Sequence, residues 1–369
     1  MKKLLLLAAV AMAFGASAQT LTQDWKHDVA VAWGDARQGV GMNGKIYVHV
    51  KTIKDAEGQV TSAGHVIVYD QNGLQNQTLP GGGNCAITID QAGHLVVSDA
   101  TFPNGWSENT VVKVYDPATP DQITNITTPA GVLCGRVDFL GKAEGDLTGD
   151  GTLYYVGSGS ETGVSKHVVV GGEASVDDSY QALMDAGFAA NNFTVVNPFM
   201  ENDEMKYLYV ARNAAPRIIV PSGDNFATEK VLTLPNKGAC NGAEIFILGG
   251  EKYIVYPTLP NYLDGFAISK IGKEETVLVL EQASTLGANP NSTQANWLNA
   301  EVVDGNTANI YQYVPGAYCA KYTFSLPQAP TGISDVTAKK AEVKKVIENG
   351  QIYIINGDAK YNVMGAQVK

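Results

Sequence analysis

Three acidic residues, Asp138, Glu244 and Glu301, lie on or beside short apolar stretches of this 369-residue sequence. A hydrolase or lyase needs paired acids, or a histidine beside a nucleophile, held across a cleft. The sequence has no HExxH helix motif, phosphate-binding glycine loop or GxSxG elbow. A polysaccharide-degrading hydrolase or lyase that uses these carboxylates is therefore the alternative interpretation and not the first one.

The segment EGDLTGDGTLYY, residues 144 to 155, has the spacing of a calcium-binding loop. Asp146, Thr148 and Asp150 alternate and are followed by Gly151, and Ca²⁺ takes roughly six to eight oxygen ligands with carboxylates among them. The later bidentate Glu of a helix-loop-helix site is missing, and Asp-Gly-Thr is also an ordinary hairpin turn. Calcium is the single cofactor that the sequence suggests.

Three of the four cysteines, Cys85, Cys134 and Cys240, occupy near-equivalent positions at the starts of apolar stretches. They form no C-x-x-C pair, and the five histidines are scattered, so a metal or thiol site is disfavoured. Buried packing is the better interpretation. A disulfide between Cys85 and Cys134 stays open, because connectivity does not follow from sequence.

A repeated unit gives these residues their setting. GNCAITIDQAGHLVVSD, residues 83 to 99, holds two strands and a polar turn, and TVVKVYD and DQITNITTP complete a four-stranded antiparallel sheet. The same order recurs from GVGMNGKIYVHVK, LCGRVDFLGK, NNFTVVNPFM, CNGAEIFILGG and NWLNAEVVDG. A spacing of roughly 45 to 60 residues is typical of propeller blades.

The predicted fold is an all-β, six-bladed β-propeller of four-stranded antiparallel blades. The sixth unit has three strands, and an unpaired edge would invite aggregation, so we expect residues 20–28 to supply its outer strand and close the ring. A β-sandwich or a β-solenoid is the alternative. The segment SVDDSYQALMDAG, 175–187, is the one predicted helix.

The two ends of the chain indicate export. Residues 1–18 have two lysines, an apolar run and an Ala-Ser-Ala ending, which is the layout of a cleavable signal peptide. Residues 328–345 have the composition of a linker, and 346–369 contain two Asn-Gly turns that predict a short hairpin. The propeller would then span 19–327.

The last residues, GQIYIINGDAKYNVMGAQVK, resemble the C-terminal sorting segments of bacterial type IX secretion cargo. This resemblance implies a cell-surface or extracellular protein, or a periplasmic one, with the secretion machinery as a partner of the tail. Together with the repeat, the sequence resembles secreted bacterial β-propellers of an uncharacterised family. That resemblance supplies no catalytic residues.

The charge of the chain excludes one class of partner. With 37 acidic and 26 basic residues the formal net charge is −11, whereas a nucleic-acid partner needs a basic face. Apart from the first residues, the sequence contains no apolar run long enough to span a membrane.

The candidate binding residues are the aromatic and polar side chains at the starts of first strands and between second and third strands. In a propeller these positions share one rim of the central channel, where flat rings beside amides and guanidinium groups suit a sugar ring or an extended peptide. The predicted set is Trp33, Asp35, Arg37, Asn84, Trp106, Arg136, Asn192, Arg212, Asn241, Tyr262 and Trp297.

The sequence therefore favours an exported, non-catalytic propeller that binds a glycan or a peptide at this rim. Catalysis by the carboxylates named above, or a purely structural role in a surface assembly, are the alternatives.

Overall fold

The computed structural model describes residues 18–84, 86–99, 110–129, 137–156, 163–184, 194–212, 214–239, 242–291, 296–327, 343–348, 351–356, 359–362 and 367–368. The chain divides into two compact units, Met1–Pro327 and Gln328–Lys369. No helix in these ranges is long and apolar enough to cross a membrane.

Within the described part of the first unit, six antiparallel sheets follow one another along the chain. The N-terminal strand β1 is Thr20–Asp28. Sheet 1 contains β2 (Gly39–Met42), β3 (Lys45–Val50), β6 (His65–Asp70) and β7 (Gly73–Pro80), with β4 (Ile53–Lys54) and β5 (Val60–Ser62) forming a separate small hairpin. Sheet 2 contains β8 (Ile87–Ile89), β9 (Leu95–Ser98), β10 (Thr110–Tyr115) and β11 (Thr124–Thr128).

The remaining sheets repeat this order. Sheet 3 contains β12 (Glu144–Gly145), β13 (Gly151–Tyr155), β14 (Gly163–Val170), β15 (Glu173–Ala174) and β16 (Tyr180–Leu183). Sheet 4 contains β17 (Val195–Glu201), β18 (Glu204–Val210), β19 (Arg217–Ser222) and β20 (Asn225–Val231). Sheet 5 contains β21 (Glu244–Leu248), β22 (Glu251–Pro257), β23 (Phe266–Ile271) and β24 (Thr276–Gln282). Sheet 6 contains β25 (Trp297–Val302), β26 (Thr307–Val314) and β27 (Tyr318–Ser325).

The outer strand of sheet 6 comes from the other end of the unit. β1 pairs antiparallel with β27 from Thr20 opposite Ser325 to Asp28 opposite Tyr318, with one register shift between Gln23 and Trp25. The expected pairing of residues 20–28 with the last sheet is therefore present. The edge of β27 that the three-stranded repeat would have left open is covered.

Tight hairpins join the first two strands of several sheets. Asn43 and Gly44 connect β2 to β3 with φ angles of 51° and 75°, and Asn202 and Asp203 connect β17 to β18 with 52° and 63°. Two consecutive positive φ angles match the twist of antiparallel strands, and Asn, Asp and Gly adopt them at the lowest cost. These local sequences fix the register of the first hairpins.

The predicted helix over 175–187 is wrong in its described part. Ser175 and Asp178 form a turn in which the Asp178 N–H donates to the Ser175 hydroxyl oxygen over 3.2 Å. The chain then enters β16, whose residues Tyr180–Leu183 pair with 163–166 of β14. β15 pairs with only the last residues of β14, so the backbone groups at the start of β14 need another partner. β16 supplies that partner, and this pairing overrides the helical pattern of the sequence.

The core lies between sheets rather than at one centre. One apolar cluster joins sheets 1 and 2, others join sheets 2 and 3, 3 and 4, and 5 and 6, and the largest joins sheets 4, 5, 6 and 1. Aromatic pairs mark two of these contacts, with ring centroids 5.1 Å apart for Tyr154 and Tyr207 and 5.1 Å for Phe266 and Tyr322. The inner strands are thus buried on both faces, which explains why β2, β8 and β9 are short and largely apolar, whereas the outer strands β7, β20 and β24 are mostly half-buried or exposed.

The second unit contains β28 (Val343–Glu348), β29 (Gln351–Asn356), β30 (Ala359–Asn362) and β31 (Gln367–Val368). These strands form one four-stranded antiparallel sheet in sequence order. β28 and β29 pair antiparallel from Val343 opposite Asn356 to Glu348 opposite Gln351, and the predicted Asn349-Gly350 turn lies outside the described residues.

Candidate functional site

The first strands of the sheets surround a central cavity. It is lined by β2, β8, β17, β21 and β25 and by the segment that leads into β12, so every one of the six sheets contributes. Its free volume is about 30 Å³. That is room for about one water molecule, and a sugar ring does not fit.

Two residues that line this cavity, Lys142 and Glu244, form an ion pair. Lys142 Nζ donates to Glu244 Oε1, and their side chains are 20% and 8% exposed. Burial raises the pKa of the Glu244 carboxyl, and the Lys142 ammonium opposes that effect. The carboxylate is therefore held by its lysine instead of facing an open channel.

Amide side chains on the first strands bond to the backbone of neighbouring sheets. Gln38 Nε2 donates to Leu140 O over 2.7 Å, and its Oε1 accepts from the N–H groups of Ile87 and Leu140. Asn197 accepts from the Lys142 N–H over 2.9 Å and donates to Ala243 O over 3.0 Å. A first strand has one edge without a strand partner in its own sheet. The amide side chains supply hydrogen-bond partners for the backbone N–H and C=O groups of that edge.

The same arrangement joins the last sheet to the first. The Gly41 N–H donates to Asn299 Oδ1 over 2.8 Å, and Asn299 Nδ2 donates to Gly41 O over 2.7 Å. Sequence reasoning missed Gln38 and Asn197. A polar amide inside an otherwise apolar first strand, as in TVVNPF and NWLNAE, is the signal that could have found this pattern.

The other two candidate carboxylates are also engaged. Asp138 is 2% exposed and lies 3.9 Å from Arg37 Nη1. Glu301 Oε1 accepts from the Asn43 N–H over 2.8 Å, and its Oε2 accepts from the Tyr311 hydroxyl over 2.5 Å. Burial raises the pKa of Glu301, but the hydrogen bonds outweigh it and lower the pKa overall. Glu301 thus joins the first hairpin of sheet 1 to sheet 6.

Of the predicted binding residues, Trp297 lies in the core. It is 7% exposed, packs edge-on against Phe139 with ring centroids 4.6 Å apart, and donates from Nε1 to Arg37 O over 2.8 Å. Neither ring face is offered to a ligand. Trp297 therefore packs between sheets and does not form part of a binding surface.

The residues of sheet 1 at this end form a local group. The Arg37 guanidinium lies 5.7 Å from the centre of the half-buried Trp33 ring. Asp35 Oδ1 lies 3.3 Å from Lys51 Nζ. In sheet 2, Asn84 Nδ2 donates to Val137 O over 3.4 Å, which places this amide between sheets 2 and 3.

A deeper opening lies where sheets 4 and 5 meet, and we call it the rim notch. Its free volume is about 460 Å³. It is lined by Arg212, Ala214, Ala215, Leu232, Thr233, Leu234, Lys237, Gly238, Ala239, Leu259 and Asn261. These residues come from the loops between second and third strands and from the connection between the two sheets, which is the rim where a binding site was predicted.

Two predicted binding residues meet at the rim notch. The Arg212 guanidinium lies 5.4 Å from the ring centre of Tyr262, a distance suited to a cation–π contact. Tyr262 has a φ of 68°, in the left-handed region that a bulky side chain rarely adopts. Strain of this kind is characteristic of ligand sites, where surrounding structure holds a residue in place.

Hydrogen bonds join the connection between sheets 4 and 5 to the loop of sheet 5 beside the notch. The Gly238 N–H donates to Pro257 O over 2.9 Å, and the Leu259 N–H donates to Asn236 O over 2.8 Å. Asn261 Oδ1 accepts from the Ala239 N–H over 2.8 Å. The connection between sheets 4 and 5 is therefore anchored to the loop of sheet 5, and the notch is built before any ligand arrives.

Several predicted residues lie outside the described ranges, and their part in a site stays a prediction. They are Cys85, Trp106, Cys134, Arg136, Asn192, Cys240 and Asn241.

The predicted calcium loop forms a hairpin turn. Asp146 Oδ1 accepts from the N–H and hydroxyl of Thr148 over 2.9 and 2.7 Å, and Asp150 Oδ1 accepts from the Gly171 N–H. The hydrogen bond from Thr148, opposed by slight burial, lowers the pKa of Asp146. These oxygens already have donors, so calcium binding at Asp146, Thr148 and Asp150 stays a prediction, which titration of the Asp150→Ala variant with Ca²⁺ would test.

Near that turn a histidine, His94, lies beside the two aspartates Asp90 and Asp146. His94 Nδ1 lies 2.9 Å from Asp90 Oδ2 and 3.4 Å from Asp146 Oδ1, and single ligand atoms of all three residues lie within 4.8 Å of one another. Asp90 also accepts from the N–H groups of His94 and Leu147. An imidazole beside two carboxylates differs from the all-oxygen set that calcium prefers.

No protein-family model matches this sequence. No curated protein matches it by sequence. Among solved structures, it is similar to the major allergen Mala s 1 of Malassezia sympodialis, with 10% identity, a TM-score of 0.51, and coverage of 80% of this chain and 95% of the allergen.

Two further structures are similar at lower TM-scores. A subtype N10 neuraminidase-like protein of A/little yellow-shouldered bat/Guatemala has 9% identity and a TM-score of 0.49, with coverage of 83% of this chain and 98% of that one. The sialidase of Trypanosoma rangeli in complex with sialic acid has 10% identity and a TM-score of 0.44, with coverage of 78% and 53%. At such identities a likeness concerns the fold alone, and the chain has an all-β, β-propeller-like fold with many four-stranded antiparallel sheets. Sheet 3 departs from the predicted four strands, because β16 adds a fifth.

Proposed function

We propose that this protein is an exported, six-bladed β-propeller that binds a glycan or a peptide at the rim of its channel, without catalysis. The observation that carries the proposal is the contrast in space between two regions. The rim notch offers about 460 Å³, whereas the central cavity holds about 30 Å³. Ligand pockets in proteins are typically about 300–1,000 Å³.

A closed ring of six blades is supported by the contacts between first strands. All six sheets line one central cavity, and the Asn299 amide exchanges two hydrogen bonds with Gly41 of sheet 1. The pairing of β1 with β27 brings the two ends of the unit together in one blade. Closure through the N-terminal strand predicts that removal of 20–28 abolishes cooperative unfolding of the unit, measured by circular dichroism on heating.

The absence of catalysis is supported by the state of the three candidate carboxylates. Asp138 is buried beside Arg37, Glu244 is held by Lys142, and Glu301 is held by Tyr311 and Asn43. A general acid or base must reach its substrate within hydrogen-bond distance. Turnover of any polysaccharide in a broad panel that is lost in Glu244→Gln would contradict this part of the proposal.

Export is supported by the sequence of the two ends. A mature protein that begins at Gln19, measured by mass spectrometry of the secreted product, would support cleavage of residues 1–18. Fusion of residues 328–369 to a periplasmic reporter tests the sorting role of the tail. A reporter that reaches the medium supports that role, and one that stays in the periplasm contradicts it.

Binding at the notch is tested on an array of immobilised glycans and peptides. The protein is compared with the Arg212→Ala/Tyr262→Ala double variant, and the matched control is Lys45→Ala, an exposed residue at the start of β3 that does not line the notch. We expect ligand binding by the protein and the control and loss of binding by the double variant. Equal binding by all three proteins, or no binding to the array, would overturn the proposal.

A further inference from the structure

The charge of the rim notch is opposite to that of the chain. The protein carries a formal net charge of −11. The charged side chains that line the notch are Arg212 and Lys237, and its other described lining residues are apolar, small or uncharged polar groups. A positive site on a negatively charged protein is an electrostatic arrangement that attracts an anionic group to one place.

The two cations come from different elements. Arg212 follows β18 and its guanidinium is oriented by the Tyr262 ring, 5.4 Å away. Lys237 lies in the connection between sheets 4 and 5 and donates from Nζ to Gly238 O over 2.7 Å. That connection is itself bonded to residues 257 and 259, so Lys237 is carried by anchored backbone. A planar guanidinium and a compact ammonium together can bind a carboxylate from two sides.

We propose that the rim notch selects ligands that carry a carboxylate, and that the ligand is an acidic sugar residue of a glycan. This inference rests on the proposed function and narrows it. The carboxylate would lie between Arg212 and Lys237. The apolar face of the sugar ring would lie on Ala214 and Ala215, which line the notch and are accessible.

The walls of the notch favour a sugar over a peptide. An extended peptide gains affinity by pairing with backbone groups along an open strand edge. In the notch the wall groups already pair with each other, because Gly238 donates to Pro257 and Leu259 donates to Asn236. Short apolar surfaces beside a few fixed polar groups suit the face of a pyranose ring.

The test uses an acidic sugar, its uncharged ester and an acidic peptide. Binding of trigalacturonic acid, its methyl ester and triglutamate to the full chain is measured by isothermal titration calorimetry at two salt concentrations. We expect the free acid to bind at least about tenfold more tightly than the ester, because charge-assisted hydrogen bonds exceed neutral ones. Affinity for the acid should fall as salt increases, whereas affinity for the ester should not.

The variants remove one charge at a time. Arg212→Gln and Lys237→Gln are each expected to weaken binding of the acid by about 10- to 100-fold, with little effect on the ester. Lys45→Gln is the matched control, since Lys45 is an exposed lysine at the start of β3, away from the notch. Circular dichroism before each titration verifies that every variant is folded.

The outcomes separate the inference from the proposed function. Equal binding of acid and ester, or binding of triglutamate alone, overturns the acidic-sugar inference and leaves binding at the rim in place. An acid preference that survives both charge-removing variants also overturns it. If neither these ligands nor the array shows binding, the proposed function fails as well.

Discussion

The central cavity and the rim notch contain the same kinds of residue and use them in opposite ways. In the cavity, Lys142 bonds to Glu244, and Asn197 and Asn299 bond to the backbone of neighbouring sheets. In the notch, Arg212 and Lys237 line about 460 Å³ of open space. First strands approach each other closely, so their polar side chains form hydrogen bonds to the backbone of the neighbouring sheet. At the rim, loops and the connection between sheets 4 and 5 line the opening in place of strands.

This comparison explains why a ring of polar residues near first strands is a poor indicator of a ligand site. A first strand presents backbone N–H and C=O groups toward the axis, and each buried group needs a partner. Asn and Gln supply both a donor and an acceptor at such places. The comparison also predicts that changes in the cavity affect stability, whereas changes in the notch affect binding.

Loss of the central lysine should have the largest effect. Lys142→Met leaves the Glu244 carboxylate buried without its partner, and we expect the free energy of unfolding to fall by about 3–5 kcal/mol. Urea denaturation at neutral pH measures this change. The Lys142→Met/Glu244→Gln double variant should recover most of the loss, since no buried charge remains. A single variant as stable as the double one would show that the ion pair does not hold the cavity.

A buried histidine at the contact of sheets 1 and 2 should make stability depend on pH. His49 Nδ1 donates to Ala86 O over 3.0 Å, and its Nε2 accepts from the Gly82 N–H over 2.8 Å. Burial lowers the pKa of His49 from 6.5 to about 4, although bonds to Ala86 and Gly82 act in the opposite direction. The unfolded chain therefore binds a proton between these pH values and the folded chain does not.

The sign follows from this difference in proton binding. Stability falls as the pH decreases from about 6.5 toward 4, by about 3 kcal/mol for this one group. Urea denaturation at pH 7.5 and pH 4.5 measures the total change. The His49→Gln variant should lose less stability between the two pH values than the unaltered protein. An identical loss in both proteins would contradict neutral burial of His49.

A smaller loss is expected where sheet 6 meets sheet 1. A Cβ atom at Gly41 would lie 1.9 Å from Tyr311 Cγ, so Gly41→Ala must displace the tyrosine or the strand. We expect a decrease of about 1–3 kcal/mol in the free energy of unfolding. The control is Gly305→Ala, because a Cβ there meets nothing within 4 Å and should change stability by less than about 0.5 kcal/mol. Equal effects of the two substitutions would argue against close packing at this contact.

The smallest effect on stability is expected in the notch. Tyr262→Asn removes the contact with Arg212, but Asn tolerates a φ of 68° better than Tyr does. These effects oppose each other, and we expect the free energy of unfolding to change by less than about 0.5 kcal/mol. Binding of an acidic glycan should nevertheless weaken. A large loss of stability would mean that Tyr262 is a packing residue like Trp297.

Some sequence predictions failed for an identifiable reason. The pattern at 175–187 has a capping residue and helical spacing, yet residues 180–183 pair with β14 because that strand has an open edge beside them. Trp297 and Asn299 have the residue types of a binding site, but both contact neighbouring sheets. Arg212 and Tyr262 were predicted separately and proved to be neighbours. In each case the deciding partner lies outside the local sequence pattern.

The sequence by itself determined the all-β architecture, the order of the hairpins and the pairing partner of residues 20–28. These features depend on local turn residues such as Asn43-Gly44, on short apolar stretches at a regular spacing and on the count of strands in the last repeat. The tertiary structure decided which polar residues bond to a neighbouring sheet and which line an opening. That choice depends on how closely neighbouring sheets approach, because a side chain pressed against a neighbour's backbone bonds to it, as Asn299 does to Gly41, whereas Arg212 and Lys237 line the rim notch.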